Sequence, residues 1–136
     1  MKLRYLGLCV SDLEASCRFY ESALGCTLLR IATPEDDRMG DLLELQAPVG
    51  LRLATLQAGE IRLQLFSYPD RAPVAGRLLP MDQPGYTHLA IEVDDVPATL
   101  VRVAECGGRV RRGTDVGYGV FVEDPDRTRI ELVPTA

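Results

Sequence analysis

Two side chains in the last third of the chain carry chemistry that packing alone does not require. His88 is the one histidine among 136 residues, and it heads the run HLAIEV, in which Leu89, Ile91 and Val93 alternate with His88, Ala90 and Glu92. Glu131 stands between Ile130 and Leu132 in RIELV. Successive side chains of a strand point to opposite faces, so both His88 and Glu131 lie on faces turned away from the apolar residues. An imidazole and a carboxylate held on such faces can move protons or share a metal ion. Each also has a plainer use. A lone strand histidine serves structure as readily as chemistry, and Arg129 is near enough to Glu131 in sequence to be an ion-pair partner. The four cysteines show no CxxC pair and no metal-finger spacing. Reduced thiols are expected, with Cys17 and Cys106 as small buried apolar groups on helices.

The elements that must position these residues follow from local patterning. Leu6, Leu8 and Val10 form the apolar face of an opening strand over residues 3 to 10. Ser11 with Glu14 makes a capping-box pattern, and Leu13, Cys17, Tyr20 and Leu24 then trace the stripe of an amphipathic helix that Gly25 stops. A strand over 26 to 31 leads into TPEDDRMGD, which reads as a loop. Strands over 50 to 57 and 60 to 68 meet at Ala58-Gly59 in a hairpin. The proline-rich segment PDRAPVAGRLLPMDQPG reads as an extended linker. The opening pattern then returns: a strand over 85 to 93, a helix capped by Asp94-Asp95 and ended by Gly107-Gly108, and strands over 109 to 112, 119 to 122 and 129 to 133.

Laid 83 residues on, Tyr5 falls on His88, Leu6 on Leu89, Val10 on Val93, Asp12 on Asp95, Ala15 on Ala98 and Gly25 on Gly108. At the module ends Gln64 pairs with Glu131. The chain is therefore an internal repeat, and the expected fold class is α+β: two βαβββ modules forming a curved mixed sheet around a cup. One domain is expected, with module 1 over about 1–70, a linker over about 69–84 and module 2 over about 85–136.

A length of 136 residues suits one core, and 46% hydrophobic with 26% charged residues is the balance of a globular protein. A net charge of −5 argues against nucleic acid as a partner. The only dense basic cluster, Arg109, Arg111 and Arg112, reads first as a solvated strand end and second as a site for a substrate anion. The apolar run from Tyr5 to Val10 is too short for a signal peptide, so a cytoplasmic protein with no membrane segment is expected.

The segments YLGLCVSDLEASCRFYESALG, IRLQLFSYP, THLAIEVDDV and FVEDPDRTRIELVP resemble the vicinal oxygen chelate superfamily, the glyoxalase, bleomycin-resistance and dioxygenase fold. The resemblance implies paired βαβββ modules around a metal site whose four ligand positions fall here on Tyr5, Gln64, His88 and Glu131. It implies Gln64, His88 and Glu131 as metal ligands, with Gln64 matching the pattern of methylmalonyl-CoA epimerase. Tyr5 stands where the family has His, and a phenol is a poor ligand for a hard dication, so Tyr5 is expected to hydrogen-bond substrate or water. Arg127 and Thr128 replace the family's Gly and Asn, which implies a reshaped turn, because a left-handed Arg costs about 1 to 2 kcal/mol.

One imidazole, one carboxylate and one amide oxygen suit Mn²⁺, Co²⁺, Ni²⁺ or Zn²⁺ with open positions. The function so implied is that of a metal-dependent epimerase, isomerase or lyase acting next to a carbonyl through an enolate-like intermediate, with Glu131 as base. Glu44 locally resembles the second catalytic Glu of the epimerase, and Tyr118, between two glycines, is a candidate for contacting the substrate or for cross-strand packing. Extradiol dioxygenase, fosfomycin-modifying and standard glyoxalase I chemistries each need a second histidine. The alternative is a metal-free protein that sequesters a small molecule such as an antibiotic. A small-molecule ligand and a homodimer are expected on either reading.

Overall fold

A computed structural model of the chain describes every residue except Ala75 and Arg77, and for Asp37 the main chain only. The fold is α+β, with two four-stranded mixed sheets, each reached by the same βαβββ order. The chain divides into a first unit of residues 1–17 and 25–74 and a second unit of residues 18–24 and 75–136. No helix among the described residues is long and apolar enough to cross a membrane.

In the first unit the sheet runs β1 (Leu6–Cys9), β4 (Ile61–Ser67), β3 (Arg52–Ala58), β2 (Thr27–Ala32). Strand β1 is parallel to β4 and the other neighbours are antiparallel. The hairpin is a two-residue turn at Gly59-Glu60, one residue beyond the expected position, and Gly59 takes the positive φ of 55° that this turn requires. Ala54, Leu56, Leu63 and Leu65 are buried on one face. Each of the three leucines contributes roughly 1.5 to 3 kcal/mol through the water it leaves.

The second unit repeats the plan in the order β5 (Leu89–Val93), β8 (Arg129–Pro134), β7 (Val120–Glu123), β6 (Arg109–Val110). Here Val120, Val122, Ile130 and Leu132 form the buried face. The parallel pairs reproduce the repeat residue for residue, since Gly7 stands opposite Gln64 and Ala90 opposite Glu131.

The helices show how far that repeat goes. Helix α1 (Leu13–Arg18) begins with the Asp12 carboxylate accepting from the Ala15 amide at 2.8 Å, and α3 (Val96–Glu105) with the Asp95 carboxylate accepting from Ala98 at 2.8 Å. The first cap is thus Asp12, the residue after Ser11, at the repeat equivalent of Asp95. Beyond α1 the chain widens into a π-helical segment, Phe19–Ala23, whereas α3 stays regular to its end. That turn absorbs one extra residue. Leu24 and Cys106 are the equivalent helix ends, and the left-handed residues that follow are Gly25 (φ 73°) and Gly107 (φ 85°). Gly25 therefore matches Gly107 and not Gly108. Gly108 has a different reason to be glycine: a Cβ there would lie 2.5 Å from the Phe19 ring and 2.7 Å from the Glu123 carbonyl.

The stretch expected as a loop contains a helix, α2 (Asp36–Leu43). It carries no long apolar stripe to announce it. Its place is fixed instead by Asp36, whose carboxylate accepts from the Val49 and Gly50 amides at 2.7 and 2.8 Å. Those bonds, Gly50 first, hold the Asp36 carboxyl below its usual range. Cys17 is buried and Cys106 only partly so.

Candidate functional site

In the second unit His88 immediately precedes β5 and Glu131 lies mid-way along β8, and their side chains meet, Nε2 to Oε2, at 3.1 Å. Both are about a quarter exposed. The pair sits on the sheet face opposite Ile130 and Leu132, as strand parity requires. Two neighbours shape it. Phe121, directly opposite Glu131 across β7 and β8, packs edge-on against the imidazole at 5.1 Å between centroids. Gly119 leaves the space that the carboxylate occupies, because a Cβ there would come within 2.8 Å of Glu131 Oε1. His88 Nδ1 is buried with no hydrogen-bond partner.

In the first unit Tyr5, just ahead of β1, and Gln64, on β4, line a common cleft of about 360 Å³ with Arg4, Leu29, Arg30, Thr55 and Arg62. Sheet register explains the grouping. Gly7, Gln64, Thr55 and Arg30 form a row across four strands, and Arg62 lies two residues from Gln64 on the same face. Gln64 and Glu131 thus occupy equivalent places in the two sheets, and Tyr5 and His88 do likewise.

The other sequence candidates lie elsewhere. Glu44 caps the end of α2 in a left-handed conformation (φ 55°), exposed, and is not among the residues lining the cleft. Tyr118 is 74% exposed between Gly117 and Gly119, with no cross-strand packing role. Of the arginine cluster, Arg111 is engaged with Glu123 at 2.7 Å. Arg127 also reaches Glu123, at 2.5 Å, with φ at 74°. The expected reshaping of that turn does not occur. Arg127 takes the left-handed position itself, held by the Asp124 carboxylate accepting from the Asp126 and Thr128 amides and by its own bond to Glu123. Burial pushes the Glu123 carboxyl up, but the bonds from Arg111 and Arg127 outweigh it and the group lies below its usual range.

A dication suits the second-unit pair on geometric grounds. Donor atoms 3.1 Å apart are spaced as neighbouring ligands of a cation about 2.0 to 2.2 Å from each. No group of three His, Cys, Asp or Glu residues gathers among the described residues. Further donors would have to be neutral oxygens, which water can supply. The sequence singles out His88, Glu131 and Gln64 but gives no sign of Gly119, Phe121 and Thr55. Phe121 and Thr55 become visible once strand register is known, since Phe121 faces Glu131 and Thr55 faces Gln64, and Gly119 through the carboxylate beside it.

Fold and half-sites together define a protein that presents polar side chains from equivalent strands of two repeated modules. The chain belongs to the Glyoxalase/Bleomycin resistance protein/Dioxygenase superfamily, whose family model matches residues 2–132. A lactoylglutathione lyase of Haemophilus influenzae is 33% identical over 98% of this chain and 92% of its own length. An ethylmalonyl-CoA/methylmalonyl-CoA epimerase of Cereibacter sphaeroides is 30% identical over 80% of this chain and 73% of its own. Among solved structures, a glyoxalase family protein from Bacillus cereus superposes with a TM-score of 0.81 at 17% identity, covering 98% of this chain and 93% of the other. That last likeness speaks for the fold alone.

Proposed function

We propose that the protein is a metal-dependent lyase, isomerase or epimerase that rearranges a small molecule at the carbon next to a carbonyl. The observation that carries this is the His88–Glu131 pair, an imidazole and a carboxylate 3.1 Å apart at the strand positions from which this fold presents ligands. Relatives named as a lyase and as an epimerase support the enzyme reading. His88 and Glu131 would hold a divalent cation (Mn²⁺, Co²⁺, Ni²⁺ or Zn²⁺), with water among the remaining donors. When bound, such an ion polarises a substrate carbonyl. The chain's own part is then to place a carboxylate oxygen of Glu131 beside the substrate's α-carbon and to receive its proton. The apolar edge of Phe121 keeps the imidazole oriented. Tyr5 supplies a hydroxyl at the cleft for a substrate oxygen. Glu44, exposed at the end of α2, is left as a weaker candidate for a second base.

The assembly proposed is a homodimer in the cytoplasm. The edge strand β2 leaves Leu29 and Ile31 48% and 45% exposed, surface that a second copy would cover. Sedimentation at micromolar concentration checks the dimer.

The function is tested by metal analysis together with α-proton exchange in deuterated water, using lactoylglutathione and methylmalonyl-CoA as substrates. The wild type should retain close to one divalent ion per chain and exchange one of the two substrates, and His88→Ala should do neither. A wild type that retains no metal under any supplementation and exchanges no proton, yet binds a small molecule as well as His88→Ala does, would replace the enzyme reading by sequestration.

A further inference from the structure

The cleft of the first unit differs in character from the His88–Glu131 pair. Arg4, Arg30 and Arg62 all line it, and Lys2 joins Arg4 and Arg62 around the hollow beside it. This is a local gathering of four cations in a chain whose net charge is −5. Among the described residues no carboxylate pairs with any of the three arginines; Glu60 lines the neighbouring hollow without an ion pair to them. Arg52 of the same unit, by contrast, is paired with Glu14 at 2.7 Å. Like charges gathered without counter-charges raise one another's energy, and they also attract and orient an oxyanion.

A second observation is independent of charge. Thr55 lines the same cleft, is only 5% exposed, and its Oγ1 is buried with no hydrogen-bond partner. A buried hydroxyl left unpaired is destabilising, and a ligand oxygen would satisfy it on binding. Its place is set by register, with Gln64 on one side and Arg30 on the other. At the equivalent place in the second sheet stands Phe121, so the polar row belongs to the first unit alone.

We infer that this cleft is an oxyanion-binding subsite, in which Arg30 and Arg62 hold a carboxylate or phosphate group of a small-molecule ligand and the Thr55 hydroxyl donates to it, with Arg4 at the mouth. The inference concerns the first unit alone and stands apart from the function proposed above. Guanidinium groups match both planar carboxylate and tetrahedral phosphate, so the two sources share one chemistry.

The test is a titration of the full-length protein in the presence of a chelator, followed by amide NMR, with malonate in one arm and inorganic phosphate in the other. Saturable binding with shifts at Thr55 and Arg30 is expected in at least one arm, and the tighter arm names the source. Arg30→Ala and Arg62→Ala should each weaken it about tenfold, and Thr55→Val by several-fold, whereas Arg52→Ala should leave it unchanged. Thr55→Val should also melt no lower than the wild type without anion, because it removes an unpaired buried hydroxyl; a Thr with a purely structural hydrogen bond would melt lower. His88→Ala should bind both probes normally, which separates this subsite from the metal reading. Absence of saturable binding in both arms, or equal weakening by Arg52→Ala, would overturn the inference.

Discussion

Replacing Gly119 by alanine tests whether the carboxylate of Glu131 is held in place by the absence of a side chain opposite. An added Cβ would lie 2.8 Å from Oε1 and 3.6 Å from Cδ and Cγ, with no backbone atom among its three nearest contacts. Ordinary carbon–oxygen contact begins near ~3.4 Å, so the carboxylate must retreat by roughly 0.6 Å. Gly119 does not have positive φ, so alanine introduces no backbone strain and the fold should be retained. The retreat acts on a pair whose other oxygen is 3.1 Å from His88. Metal–ligand distances tolerate only about ±0.2 Å, and displaced supporting geometry typically costs 10- to 100-fold in affinity, about 1.4 to 2.8 kcal/mol. Calorimetric titration with Zn²⁺ or Ni²⁺ should show that loss, and the imidazole resonances of His88 should shift even without metal. Gly117→Ala is the control, since Gly117 has φ of 85° and open space around it. That change should cost about 1 to 2 kcal/mol of stability and leave metal affinity alone. Unchanged metal affinity and an unchanged His88 spectrum in Gly119→Ala would refute the reasoning.

Other expectations concern the scaffold. Arg127→Gly relieves a left-handed arginine, worth about 1 to 2 kcal/mol, and loses a half-exposed ion-pair partner of Glu123, so urea unfolding should place it within about 1 kcal/mol of the wild type. Arg111→Ala offers no such relief and should be the more destabilised of the two. Glu123 has a depressed folded-state carboxyl, so its stabilising contribution is present above the ordinary glutamate range and is lost as pH falls through the folded value. Glu123→Gln should therefore flatten the acid limb of a stability–pH curve, and an unaltered limb would count against the assignment. Asp12→Ala and Asp95→Ala should each cost about 1 kcal/mol and by similar amounts, as measured by thermal melting, because the two caps are copies of one another.

How much of this could be read from the sequence depends on which interactions are local. The faces of His88 and Glu131 follow from alternation alone, and the sheet confirms them because a slip of one residue would put Ile130 and Leu132 on the polar side. The repeat was legible through Asp12 and Asp95, whose caps each span three residues. What escaped depended on distant partners. Helix α2 is anchored through Asp36 to amides 13 and 14 residues away, so its own stretch of sequence offered no apolar stripe to find. The extra residue in the π-helical turn was hidden because glycines follow both helices, and Gly25 could be matched to either of two neighbours, Gly107 or Gly108. Only the differing strain and crowding at those glycines separates them. The Arg127 turn teaches the converse. Its left-handed cost was foreseeable from the residue type, but Glu123 and Asp124, which hold the turn, are an ion-pair partner and a buried carboxylate whose roles no composition reveals. Thr55 and Gly119 belong to the same class: one matters for a hydrogen bond it lacks and the other for a side chain it lacks. Each becomes legible only once the fold sets its neighbour beside it, Gln64 across the strand from Thr55 and the Glu131 carboxylate in the space beside Gly119.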